Sequence, residues 1–212
     1  MKKNILFLYS VFCIVLATQA QDKNFPEIPL DVLEKANTAK EVDYLTDEEK
    51  RVIYLVNLAR IDGNLFAKTY LAKQIKENKL DASNEALKTL LQDLSSNQSD
   101  ILLPAEKLSE AACFHADDTG QKGLVQHDSS DGTTFAKRIR RYVKGGAIAE
   151  NCSYGYETAE GILMQLLIDE NTPSRGHRKN ILNPNYKFLG VCIRPHARWK
   201  FTCVQDFSSS QE

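Results

Sequence analysis

Several absences narrow the reading before any residue is assigned a role. Beyond the first twenty residues there is no long apolar run, so no membrane span is expected. Neither charge dominates: 27 Lys and Arg stand against 28 Asp and Glu, and no nucleic-acid motif occurs, so nucleic acid is not the expected partner. The chain lacks a Ser-centred nucleophile elbow, a glycine-rich phosphate loop after a strand, and a His-Glu-x-x-His pair. With 42% hydrophobic and 26% charged residues, it has the composition of a globular domain and not of a disordered, collagenous or coiled-coil chain.

What is present begins with a leader. Lys2 and Lys3 precede an apolar run from Ile5 to Ala17, and Thr18-Gln19-Ala20 carries small residues at the −3 and −1 positions. Residues 1–20 therefore read as a signal peptide cleaved after Ala20. The run is 13 residues long, too short for a span needing about 20. Cys13 follows the bulky Phe12 and makes a poor lipidation site. The expected product is a secreted or periplasmic chain of 192 residues, the size of one domain.

Export makes the remaining cysteines, Cys113, Cys152, Cys192 and Cys203, candidates for disulfides. Val191–Arg194 and Trp199–Val204 read as two strands around a turn at residues 195–198. A hairpin centred between Ala197 and Arg198 sets Cys192 opposite Cys203, which predicts a 192–203 bridge and leaves 113 with 152. The alternative is four free thiols buried in the core.

Residues 21–43 read as an extended polar lead-in, 44–207 as the domain and 208–212 as a tail. Thr46-Asp47-Glu48-Glu49 is a capping box that opens a helix with Val52, Leu55, Val56 and Ala59 inward; Asn57 and Arg60 could serve the core or a partner. Residues 76–99 look like a surface insertion with a helical patch near Ala86 to Leu94. A helix over 105–120 carries His115 on its apolar side, where a core histidine is expected. Phe135, Ile139 and Tyr142 mark a short helix whose other face, Lys137, Arg138, Arg140, Arg141 and Lys144, reads as solvated surface. Another helix covers 158–168, and His196 falls in the hairpin turn, where it is expected to be exposed. Asn97-Gln98-Ser99 and Asn151-Cys152-Ser153 fit the glycosylation pattern. This succession of segregated elements argues for an α+β layered domain.

His127, Glu150, Asp169, Glu170 and His177 stand at chain turns beside apolar runs. Histidine with carboxylate suits general acid–base chemistry or a divalent ion. Their spacing alone matches no compact ligand motif.

The ordered pieces Ala111-Ala112-Cys113-Phe114-His115-Ala116-Asp117-Asp118, His127-Asp128, Ala149-Glu150-Asn151, Gly176–Pro184 and Gly190-Val191 resemble the CAP superfamily of cysteine-rich secretory, antigen 5 and pathogenesis-related proteins, whose domain is also called SCP. Upstream, Val56–Arg60 is similar to that family's first helix. The resemblance implies a three-layer α-β-α sandwich with a small antiparallel sheet. It also implies a cleft of two histidines and two acids. By position His127 is the first histidine, Glu150 the first acid and His177 the second histidine; Leu166 stands where the family has Trp, so Asp169 takes the second acid's place with Glu170 beside it. The two imidazoles are expected within about 8 Å of each other. Such a mixed nitrogen and oxygen set favours zinc over calcium. Because CAP members differ in function, two readings stand. One is a secreted binding or interaction module for a divalent ion, a small molecule, a lipid or a protein. The other is a metal-dependent hydrolase with His127, Glu150, Asp169 and His177 as its catalytic candidates.

Overall fold

The computed structural model describes residues 27–211, so the expected signal peptide (residues 1–20), the start of the lead-in and Glu212 lie outside the described residues. The described part of the lead-in is not extended. It forms α1 (Leu30–Ala36) and buries Ile28, Leu33, Ala36 and Ala39. The capping box then opens α2 (Asp47–Ile61): Thr46 Oγ1 accepts from the Glu49 N–H, and Glu49 Oε2 accepts from the Thr46 N–H at 2.8 Å. Asn57 and Arg60 serve the core. The Asn57 amide donates to the Ala36 and Leu102 carbonyls and accepts from Leu102 N–H. Arg60 donates to the carbonyls of Asp100, Ile181, Asn183 and Tyr186, and desolvation lowers its pKa to about 10.

After α2 the chain forms α3 (Gly63–Phe66), a π turn at Ala67–Leu71, α4 (Ala72–Glu77) and α5 (Glu85–Ser95). The region expected to be a surface insertion thus contains a core helix. α5 buries Ala86, Leu87, Leu90 and Leu94, which recur at helical spacing. The elements that follow are β1 (Leu103–Pro104), α6 (Glu106–Lys122), α7 (Phe135–Ile139), β2 (Ile148–Tyr154), α8 (Ala159–Ile168), α9 (Gly176–Leu182), β3 (Phe188–His196) and β4 (Lys200–Ser208).

The strands form one sheet in the order β1-β3-β4-β2, antiparallel except for the two-residue parallel pairing of β1 with β3. Strand alternation sorts the side chains into two layers. Cys152, Cys192 and Val204 pack with Ala112 and Ala116 of α6. Val191 and Cys203, on the opposite face, pack in the cluster that contains α2 and α8. The molecule is therefore helix, sheet and helix in three layers, as the resemblance implied. Gly190 sets the spacing of one layer: a Cβ there would stand 2.1 Å from the Leu108 backbone carbon of α6. No helix among the described residues is long and apolar enough to cross a membrane.

The hairpin is present, but its register corrects the expected disulfide. Cys192 pairs with Val204, and Cys203 with Ile193, one residue away from the predicted pairing. A shift of one sends the two thiols to opposite faces. Cys192 faces α6 and is bonded there to Cys113, with Cα atoms 5.0 Å apart. Cys152 and Cys203 are free and buried, which also excludes the 113–152 pair. His196 is buried, not exposed. Its Nδ1 accepts from the Arg198 and Trp199 N–H groups, and its Nε2–H donates to the Leu124 carbonyl, so the ring fastens the turn. Asn97 and Asn151 both donate their amides to internal backbone carbonyls.

Candidate functional site

β2 is an edge strand, and the candidate residues gather around it from both layers. Glu150 and Cys152, two positions apart, project towards α6. The loop after α6 brings His127 over them, and its carbonyl is fixed by Arg138 Nη1 at 2.7 Å. His127 Nδ1 lies 2.9 Å from Glu150 Oε1, and Glu150 Oε2 accepts from Arg138 Nη2 in an ion pair buried on both sides. The hydrogen bond that His127 donates to Glu150 raises the His127 pKa above its ordinary value. His115 sits behind this pair, 3.7 Å from Glu150 Oε1, with Nε2 2.9 Å from the Gln126 carbonyl oxygen. Burial pushes its pKa down, which keeps the ring neutral. Asp206, opposite Glu150 on β4, is fully buried; desolvation first, and then the charge of Glu150, push its carboxyl well above the usual range. The Cys152 thiol is raised likewise by burial and stays protonated.

The second pair comes from the other layer. Asp169 ends α8 in the left-handed conformation, φ 53°. Its Oδ1 lies 2.7 Å from His177 Nδ1, and its Oδ2 accepts from the His177 N–H at 3.0 Å. Arg175, also left-handed, donates to the carbonyls of Asp169, Glu170 and Thr172 and so closes the loop that presents the acid. Glu170 turns away to accept from Asn84 Nδ2. The acid partnered with His177 is therefore Asp169. Arg178, wholly buried, ties α9 to the Leu167 and Ile168 carbonyls at the end of α8 and to Ala86 of α5. Asn151 joins the strand to this side by donating to the His177 carbonyl.

His127, Cys152, Asp169, Glu170 and His177 all line one cleft of about 1100 Å³, whose walls also carry Tyr154, Met164, Leu166 and Trp199. Two imidazoles thus face a common space, each with Nδ1 held by a buried carboxylate. If Nδ1 carries the proton towards that carboxylate, Nε2 keeps its lone pair. This is the arrangement in which a carboxylate orients a metal-binding histidine. Glu150 and Asp169 spend their oxygens on His127, Arg138 and the start of α9, which makes them orienting groups here.

Sequence reasoning assigned no role at the site to His115, Cys152, Arg138 or Asp206. Arg138 was assigned to a solvated face, yet it lies between Phe135, Ile139 and Tyr142 at helical spacing and is buried. A charge inside an apolar stripe was the available signal. For Cys152 the signal was strand alternation, which places it beside Glu150.

Comparison with known proteins follows this geometry. The sequence profile of the CAP, cysteine-rich secretory protein, family matches residues 54–207. Among solved structures, an extracellular protein containing an SCP domain from Bacillus anthracis str. Ames is similar with 22% identity and a TM-score of 0.46 over 77% of this chain. The chain spans 44% of the length of that protein. An outer surface protein from Borrelia burgdorferi is similar with 19% identity and a TM-score of 0.45, over 64% of this chain and 90% of its own. No curated protein matches the sequence.

Proposed function

Because the chain belongs to the cysteine-rich secretory protein (CAP) family, we propose that it is a secreted binding module whose cleft takes a divalent cation of the zinc class together with a small, partly apolar ligand. The observation that carries this reading is the pair of carboxylate-backed imidazoles, His127 with Glu150 and His177 with Asp169, on the walls of one cleft. The Nε2 atoms of the two histidines would hold the ion. The apolar and aromatic wall, with Met164, Leu166, Tyr154 and Trp199, would receive the ligand. The expected leader and the Cys113–Cys192 disulfide support export. Free Cys152 does not support a cysteine hydrolase, since its thiol is held neutral.

Calorimetric zinc titration tests the reading. At pH 7.5 zinc should bind with modest affinity, because the two histidines come from separate loops. At pH 5.5 the affinity should fall by about tenfold or more, as protons compete for the imidazoles. Competition at His127 begins above the ordinary value, because Glu150 raises its pKa. The variant His127→Ala/His177→Ala should show no such binding. Equal affinity in all four titrations would refute the site. Zinc-dependent turnover of an ester or peptide that disappears in the double variant would make the protein a hydrolase instead.

A further inference from the structure

A second set of metal-ligating atoms lies behind the cleft wall. One ring nitrogen of His115, one carboxylate oxygen of Glu150 and the thiol of Cys152 lie within 4.8 Å of one another, and all three residues are buried. His127 Nδ1 approaches from the cleft side, 2.9 Å from Glu150 Oε1 and 3.8 Å from Cys152 Sγ. With metal–nitrogen and metal–oxygen bonds near 2.0 Å and metal–sulfur near 2.3 Å, the donors of a tetrahedral zinc shell stand roughly 3.3–3.8 Å apart. The 3.7 Å from Glu150 Oε1 to His115 Nε2 is of that size. Nε2 is the His115 nitrogen that faces Glu150, and the ring's other nitrogen, Nδ1, is buried without a hydrogen-bond partner.

The fold explains the grouping. Glu150 and Cys152 share one face of β2, and α6 lays His115 across it. Arg138 occupies Glu150 Oε2 and leaves Oε1 as the donor. Its positive charge opposes a bound cation, but Glu150 and a Cys152 thiolate together outweigh it in sign.

We propose that His115, Glu150 and Cys152 form a buried thiolate-containing site for a borderline-soft divalent cation, separate from the pair of Nε2 atoms in the cleft. Cys152 loses its proton to solvent when the metal–sulfur bond forms. The thiolate selects zinc or cobalt over magnesium and calcium. Cys152 and His127 both line the cleft, which provides the way in. The site lies beyond the cleft reading, because His177 takes no part in it.

Cobalt(II) added without reductant to the chain lacking residues 1–20 is the probe, since a cobalt–thiolate bond has its own near-ultraviolet charge-transfer band. Wild type and His177→Ala should both develop the band, which should saturate at one thiolate-bound cobalt per chain. Cys152→Ser should lose it, and His115→Gln should weaken cobalt binding by about tenfold or more. No thiolate band at saturating cobalt in wild type, or an undiminished band in Cys152→Ser, would overturn the proposal. A measurement on wild type alone covers a Cys152→Ser chain that fails to fold. Zinc should slow alkylation of Cys152 and leave that of Cys203 unchanged, and equal slowing at both, or none, would also overturn it. Loss of the cleft component of calorimetric zinc binding in His177→Ala, by contrast, reports only on the cleft pair.

Discussion

Glu150 serves three groups at once: it orients His127, neutralises buried Arg138 and lies against buried Asp206. Replacing it with Gln keeps the shape and removes the charge. Arg138 then becomes a buried cation without a counter-charge, so Glu150→Gln should lose about 3–5 kcal/mol in urea denaturation. The same change should lower the His127 pKa, read by NMR titration of its ring. In wild type the folded state holds the His127 proton more tightly than the unfolded chain does. That contribution to stability is complete below a pH of about 6.5 and fades as pH rises through the folded value. The variant should lose this part of the pH dependence. An unchanged His127 pKa in Glu150→Gln would show that the carboxylate is not what sets it. His115 illustrates why single residues were hard to read. A histidine on an apolar helix face was legible as buried, but its neighbours on β2 depend on packing between layers that no local pattern encodes.

At the level of elements, the capping box of α2, the helices α6 and α8 and the final hairpin were legible, because each rests on local spacing and local hydrogen bonds. The disulfide was not. It depends on the hairpin turn, and a register shift of one residue exchanged Cys203 for Cys113 as the partner of Cys192. The chain lacking residues 1–20, denatured without reduction, should therefore titrate two free thiols, Cys152 and Cys203, and four after reduction. Four before reduction would refute the bond. Because the bridge joins residues 79 apart, removing it by Cys113→Ser/Cys192→Ser should cost about 4–5 kcal/mol in the loop-entropy picture. α5 was legible as a helical patch but was read as surface for a different reason: its buried leucines sit within a stretch whose flanks are rich in Lys, Asn and Ser, and average polarity masked the stripe.

Across the whole molecule, the layered class and the histidine–acid pairs were legible through ordered motifs, while the choice of Asp169 over Glu170 awaited the backbone. Asp169 reaches His177 because α8 ends in a left-handed residue that aims the short carboxylate at the first turn of α9. The supports of the two cleft margins are also built differently. Behind the margin that carries Cys152, α6 touches β3 backbone to backbone at Gly190 and is covalently tied to it at Cys192. On the other, residues 170–175 are held largely by the Arg175 guanidinium on three carbonyls. One wall is an anvil and the other a spring. In deuterated buffer the amides of α6 and β3 should exchange slowest, and those of residues 170–175 fastest among the segments around the cleft. Equal rates on both sides would mean that the cleft breathes symmetrically. With unequal rates, the cleft widens by movement of one margin, and His177 sits next to the margin that moves.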